Sequence, residues 1–118
     1  MKSPQVVTAL AALAQESRLA VYRLLVTRGP EGLRAGVISD KLGITPPTLS
    51  FHLKELANAG LITGRQDGRL VIYSANFQIM NDLVGFLTDN CCGGNPCTPV
   101  VACTPSRAGK KQRVSAGS

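Results

Sequence analysis

Four thiols are crowded into one short stretch of this chain. Cys91, Cys92, Cys97 and Cys103 fall within thirteen positions, and there is no other cysteine. Thiolates are soft ligands that select soft ions, so the segment is a candidate centre for a thiophilic metal or metalloid. Gly93 and Gly94 follow the adjacent pair and permit the backbone bend that lets neighbouring thiolates converge. Pro96 helps to turn the chain so that Cys97 comes back toward the pair. Ligation needs deprotonated thiols, so capture releases protons. Other readings share these residues. Four cysteines suit tetrahedral zinc, although the C-x2-C knuckles usual in structural zinc sites are missing. Thiol–disulfide exchange would make the cluster a redox switch, and cysteines without a role are the remaining case. The single histidine, His52, lies in a different element from the thiols. With no phosphate loop, no nucleophile beside a paired base and no cofactor motif, the expectation is not an enzyme.

A second constellation lies in residues 44–61, ITPPTLSFHLKELANAGL. Thr45 can cap a helix, and Pro46 fits its first position, where no amide donor is needed. Leu49, Leu53 and Leu56 form a core stripe at i, i+4, i+7. Gly60 stands where a left-handed C-cap belongs. Pro47, Thr48, Ser50, Phe51, Lys54 and Asn58 lie off that stripe. Small hydroxyl side chains near a helix N-terminus can approach base edges in a major groove, and Phe51 can contact a thymine methyl. Lys54 can pair with a phosphate. His52 neighbours Leu53 and is the weaker candidate, since a lone histidine there is more often structural. The exposed-residue alternative for Thr48, Ser50 and Lys54 is a plain solvated helix face.

The elements that position this face are read from periodicity. Residues 5–14 form a helix after Pro4, with Val6, Leu10 and Leu13 on one side. Ser17 is a good N-cap for a second, well-buried helix carrying Leu19, Ala20, Tyr22, Leu24, Leu25 and Val26, ended by Gly29-Pro30. Residues 35–42 form a third helix, with Val37, Ile38 and Leu42 inward and Gly43 as its stop. A helix, a short turn and a capped second helix is the helix-turn-helix pattern. Residues 61–65 and 69–74 are strand-prone, and Gln66-Asp67-Gly68 between them holds a hairpin Asp-Gly pair. A hairpin directly after a recognition helix is a wing, and its Arg65 and Arg69 can reach a DNA backbone or minor groove. Asn76 starts a last helix with Ile79, Leu83, Phe86 and Leu87 on one side. The expected fold is mainly α with a β-hairpin wing, a dimeric winged helix-turn-helix ordered helix, helix, helix, helix, hairpin, helix. The first and last helices carry apolar stripes wider than so small a domain buries, and a symmetric dimer would cover them.

Bulk composition agrees and excludes little. The 118 residues, 44% hydrophobic and 17% charged, suit one globular domain. The net charge of +6 favours a polyanionic partner. Residues 1–90 hold nine basic against seven acidic side chains, however, while Arg107, Lys110, Lys111 and Arg113 have no acid near them. Three regions follow: a DNA-binding and dimerisation domain at 1–90, a cysteine-rich segment at 91–105 and a basic mobile tail at 106–118. No apolar run spans a membrane and the first residues do not form a signal peptide, so the expected location is cytoplasmic, where thiols stay reduced.

The stretches ALAQESRLAVYRLL, AGVISDKLGI, TLSFHLKELANAGLI and GRLVIYS occur in an order and spacing that resemble the ArsR/SmtB family of winged-helix metalloregulatory repressors, over residues 9–74. The resemblance implies a homodimer, double-stranded operator DNA with an inverted repeat, and repression relieved by a metal or metalloid. It puts Thr48, Ser50 and Phe51 at base-facing positions and Arg69 at the wing tip. Many members bind arsenite through cysteines on the third helix, but residues 31–42 contain none. Sites of histidine and carboxylates on the last helix find no support either. The chain instead resembles a subgroup with adjacent cysteines at the end of the last helix and a third shortly after. That implies Cys91, Cys92 and Cys97 as ligands, with Cys103 the alternative third. The implied inducer is As(III) as arsenite, with Sb(III) and trivalent organoarsenicals as relatives. These elements form three bonds and keep a lone pair, which a pyramid of three thiolates satisfies. Cadmium, lead, zinc, copper(I) and a redox signal are the competing inducers.

Overall fold

The computed structural model describes residues 1–89. Cys91, Cys92, Cys97, Cys103, the segment 91–105 and the tail 106–118 lie outside the described residues. The elements run α1 (Ser3–Leu13), α2 (Glu16–Arg28), β1 (Leu33–Arg34), α3 (Ala35–Leu42), α4 (Pro46–Asn58), β2 (Ile62–Asp67), β3 (Leu70–Ala75) and α5 (Phe77–Leu87). Five helices and a hairpin wing occur in the expected order. The addition is β1, which pairs antiparallel with β3 and makes a three-stranded sheet of order β1-β3-β2.

Local chemistry explains most boundaries. In α1, Pro4 occupies the first turn and the Lys2 amide donates to the Gln5 side chain at 2.8 Å. The core-facing residues are Val6 and Ala9, and Leu10 is turned outward. This corrects the expected 6/10/13 stripe: the small side chain at 9 lets α1 lie close against α2 and α4. The cap of α2 is Gln15, not Ser17. The Gln15 side-chain oxygen accepts from the Arg18 amide at 2.8 Å, and the Arg18 guanidinium donates to the Ala12 carbonyl at 2.7 Å. That pair fixes the corner between the first two helices and leaves Ser17 inside the helix. Leu19 is exposed, while Val21 and Leu25 are fully buried.

Gly43 takes φ +66° and closes α3, and the amides of Gly43 and Ile44 both donate to the Ser39 carbonyl. The Ser39 hydroxyl donates to the Ile44 carbonyl, tightening the turn into α4. At the other end of α4, Gly60 takes φ +78°, its amide donates to Ala57 and the Leu61 amide donates to Leu56, each at 3.0 Å. This is a Schellman closure, and its apolar partners Leu56 and Leu61 are both fully buried. The hairpin turn is Gly68-Arg69, with Asp67 still paired to Leu70. It lies further along than the expected Gln66-Asp67-Gly68, because Gly68 supplies the positive φ of +66° at the first turn position. Ile38, Leu49, Leu56, Leu61, Val21 and Leu25 are the most deeply buried large side chains.

Asn76 joins α5 to the rest of the fold. Its side-chain oxygen accepts from the Ile79 amide at 3.3 Å, its side-chain amide donates to the Gly60 carbonyl at 3.1 Å, and its backbone amide donates to Leu61 at 2.8 Å. Beyond that joint only Leu83 of α5 is buried. Replacing Asn76 with alanine removes both the cap and the bond to Gly60. The expected result is a loss of about 1–2 kcal/mol in urea denaturation; an unchanged midpoint would show that the joint carries no stability.

Candidate nucleic-acid interface

The turn from α3 into α4 presents one side of α4 outward. Leu49, Leu53 and Leu56 point inward as expected, and so does His52, which is 6% exposed. Its Nδ1 has no hydrogen-bond partner among the described residues, and its ring centroid lies 5.8 Å from that of Phe51 in a tilted arrangement. Burial takes His52 off the outward face. Pro47, Thr48, Ser50, Phe51, Lys54 and Asn58 are all exposed. Phe51 is 55% exposed, a large apolar ring with no cover on its own subunit. Thr45 holds the N-cap position, but its hydroxyl donates to the Thr48 hydroxyl at 3.0 Å and caps no amide. Pro46 and Pro47 carry no amide proton, so the Thr48 amide is the donor left at this end for an anion.

The wing carries two further cations. Arg69 sits in the two-residue turn at the tip of the hairpin and is exposed. Arg65 lies on β2 and its guanidinium donates to the Glu31 carbonyl at 3.2 Å, so one terminal nitrogen of its head group is held. Lys54 and Arg69 have no hydrogen-bond or ion-pair partner among the described residues. Leu70 and Val71, next to the tip, are exposed apolar side chains. The structure thus brings the α4 residues onto one helix face and the two arginines onto one hairpin. Sequence reading did not single out Arg34, because the two-residue strand that carries it is too short to show alternation.

Exposed apolar side chains also occur on the first and last helices. Val7 and Leu10 on α1 and Phe86 and Leu87 on α5 are exposed, Val7 at 63% and Leu87 at 59%. No group of three or more histidine, cysteine or acidic side chains able to hold a metal occurs among the described residues. No helix among them is long and apolar enough to cross a membrane.

Residues 13–65 match a helix-turn-helix domain family. The chain is 45% identical over 58 residues to an uncharacterized HTH-type transcriptional regulator of Bacillus subtilis, YceK, a match covering 49% of this chain and 57% of that protein. It thus spans little more than half the length of that relative. It is 32% identical over 84 residues to the arsenical resistance operon repressor of Staphylococcus aureus, covering 71% of this chain and 78% of that repressor. Its fold is similar to the homodimeric winged helix-turn-helix DNA-binding domain of a Mycobacterium bovis protein, with a TM-score of 0.59 at 24% identity over 78% of this chain and 85% of that one. These relatives are regulators of transcription and not enzymes, as the sequence reading expected. The architecture, the outward face of α4 and the match to the staphylococcal repressor lead to one assignment: the chain belongs to the ArsR family of winged helix-turn-helix transcriptional regulators.

Proposed function

We propose that the chain is a repressor that binds inverted-repeat operator DNA as a homodimer and releases it when trivalent arsenic is captured by the thiolates of Cys91, Cys92 and Cys97, with Cys103 the alternative third ligand. The observation that carries the DNA part is the outward face of α4, where the exposed Phe51 ring stands among Thr48, Ser50 and Lys54. An exposed aromatic on a helix calls for a partner, and the second helix of a helix-turn-helix enters the major groove. In this reading Thr48, Ser50 and Phe51 meet base edges, Lys54 and Arg65 meet phosphates, and Arg69 reaches the minor groove. The exposed side chains of α1 and α5 form the dimer interface, which sets the spacing of the two α4 helices to successive major grooves.

The inducer part rests on two supports. The adjacent pair Cys91-Cys92 begins four residues after Leu87, the last residue of α5, and the staphylococcal relative is itself an arsenical resistance repressor. Three thiolates match the three bonds of As(III) or Sb(III), and an organoarsenical with one carbon bond needs only two. Capture at the end of α5 repositions that helix at the interface and changes the spacing of the reading helices.

The test is an anisotropy titration of the dimer on its operator duplex, with arsenite added. The expected result is a fall in affinity of about 5–150-fold, the usual range of allosteric coupling, with an equal weakening of arsenite binding by DNA. Cadmium, lead, zinc, copper(I) and an oxidant are tested in the same way. Release by one of these and not by arsenite would replace the inducer and keep the repressor; no preference for the operator over a scrambled duplex would overturn the whole reading.

A further inference from the structure

We infer that the outer face of the wing sheet is a second DNA-contact surface, on which Arg34 and Arg65 bind separate backbone phosphates beside the groove that the wing tip enters. This deepens the DNA-binding reading above and rests on it.

The inference begins with the register. Arg34 of β1 pairs with Ile72 of β3, and Ile72 pairs on its other side with Arg65 of β2. Directly paired residues share a face of a sheet, so Arg34, Ile72 and Arg65 form one row across all three strands. The opposite face carries the buried Ile62 and Ala75, and therefore faces the core. The Thr63 and Ser74 hydroxyls, 3.4 Å apart, lie on the same outer face and add neutral donors.

Adjacent strands are about 4.8 Å apart, which sets the two arginine backbones roughly 10 Å from each other. Ile72, half-buried, stands between them. Arg65 is held by the Glu31 carbonyl. The Glu31 carboxylate is 3.5 Å from Arg28, which has its own bond to the Gly32 carbonyl. That acid thus has a cation of its own in Arg28. Arg34 has no side-chain hydrogen bond or ion pair among the described residues. Asp67 lies on the outer face at the tip end of β2, and Asp40 of α3 lines the same surface depression as Arg34 and Arg69.

Two guanidinium groups spaced across an intervening apolar side chain suit a polymer of phosphates better than one free phosphate. Arginine's planar fork pairs with a phosphate through two parallel hydrogen bonds. Arg69, in the turn just before β3, is three residues from Ile72 along the chain, again about 10 Å away. The row thus continues the interface begun at the wing tip and extends it along the duplex.

The experiment compares the wild-type chain with Arg34→Gln and Arg34→Lys on two duplexes of equal length, one recovered from a random pool by the wild-type chain and one scrambled. Anisotropy is read across a salt series. Arg34→Gln is expected to weaken both duplexes by a similar factor, on the order of tenfold near 0.1 M salt. It is also expected to lower the slope of log affinity against log salt by about 0.9 per subunit. Arg34→Lys, which keeps the charge, should keep the wild-type slope. An unchanged slope in Arg34→Gln, with the wild-type chain still preferring its selected duplex, would overturn this inference and leave the repressor reading intact. A loss of slope in Arg34→Lys would also overturn it, since charge would not then be the cause. Equal wild-type affinity for both duplexes would instead sink the operator reading on which it rests.

Discussion

Gly32→Ala should destabilise the protein by about 2–6 kcal/mol, and the loss should fall on the wing. Gly32 is buried with φ +73°, a conformation that costs an L-residue about 1–3 kcal/mol. A Cβ at this position would also collide with the Tyr73 carbonyl oxygen and lie 2.8 Å from Cγ2 of Ile72. Overpacking of that kind adds about 1–3 kcal/mol. Both neighbours belong to β3, the central strand, and Leu33 pairs with Tyr73 immediately beyond. The added methyl group therefore pries β1 from the sheet. Gly68→Ala provides the control: its φ is +66°, but a Cβ there meets nothing within 4 Å. It should cost only about 1 kcal/mol. Urea denaturation of the two variants separates crowding from backbone conformation. Equal penalties would show that the close approach to β3 is immaterial.

Cys92→Ser should abolish arsenite-induced release while leaving operator affinity in the absence of arsenite unchanged, and Cys91→Ser should do the same. Serine keeps the size of the side chain but lacks the soft thiolate on which capture depends. The cysteines are separated in the chain from the α4 and wing residues that meet DNA, so binding without inducer has no reason to change. Cys97→Ser and Cys103→Ser decide the third ligand. Loss of response in Cys97→Ser alone supports the C-C-x4-C set, and loss in Cys103→Ser alone moves the ligand. Methylarsenite adds a further arm, since it forms only two bonds to thiols: the variant lacking the third ligand should still respond to it. A full arsenite response in the Cys91→Ser, Cys92→Ser double variant would remove the inducer site from this segment altogether.

Features that depend on neighbours along the chain were the legible ones. Pro46 and Gly60 mark the ends of α4 through backbone preferences, and Thr45 holds the N-cap position although its hydroxyl caps no amide. Leu49, Leu53 and Leu56 mark its buried side, because helical spacing is a local property. The exposed DNA-facing side follows as the complement of that stripe. His52, read from the sequence as more often structural than DNA-facing, joins the buried side as the i+3 neighbour of Leu49. What was hidden depended on distant partners. Two residues of β1 carry no alternation, and they become a strand only because β3 lies beside them. Gln15 displaced Ser17 as a cap because its longer side chain reaches the Arg18 amide while Arg18 ties back to Ala12. Ala9 displaced Leu10 because the space between α1 and its neighbours is narrow, which no periodicity count reveals.

The joint at Asn76 turns α5 into a lever with one pinned end. The helix has 11 residues, a length of about 16 Å at 1.5 Å per residue, so a tilt of about 10° carries its far end through roughly 3 Å. The pinned end hardly moves, and it is tied to the Gly60 and Leu61 carbonyls, the two residues that close α4. In the proposed mechanism, a wide swing at the far end of α5 would reach α4 as a small, stiff displacement. In the proposed two-fold dimer the same displacement occurs twice in opposite senses, so the gap between the two reading helices changes by the sum.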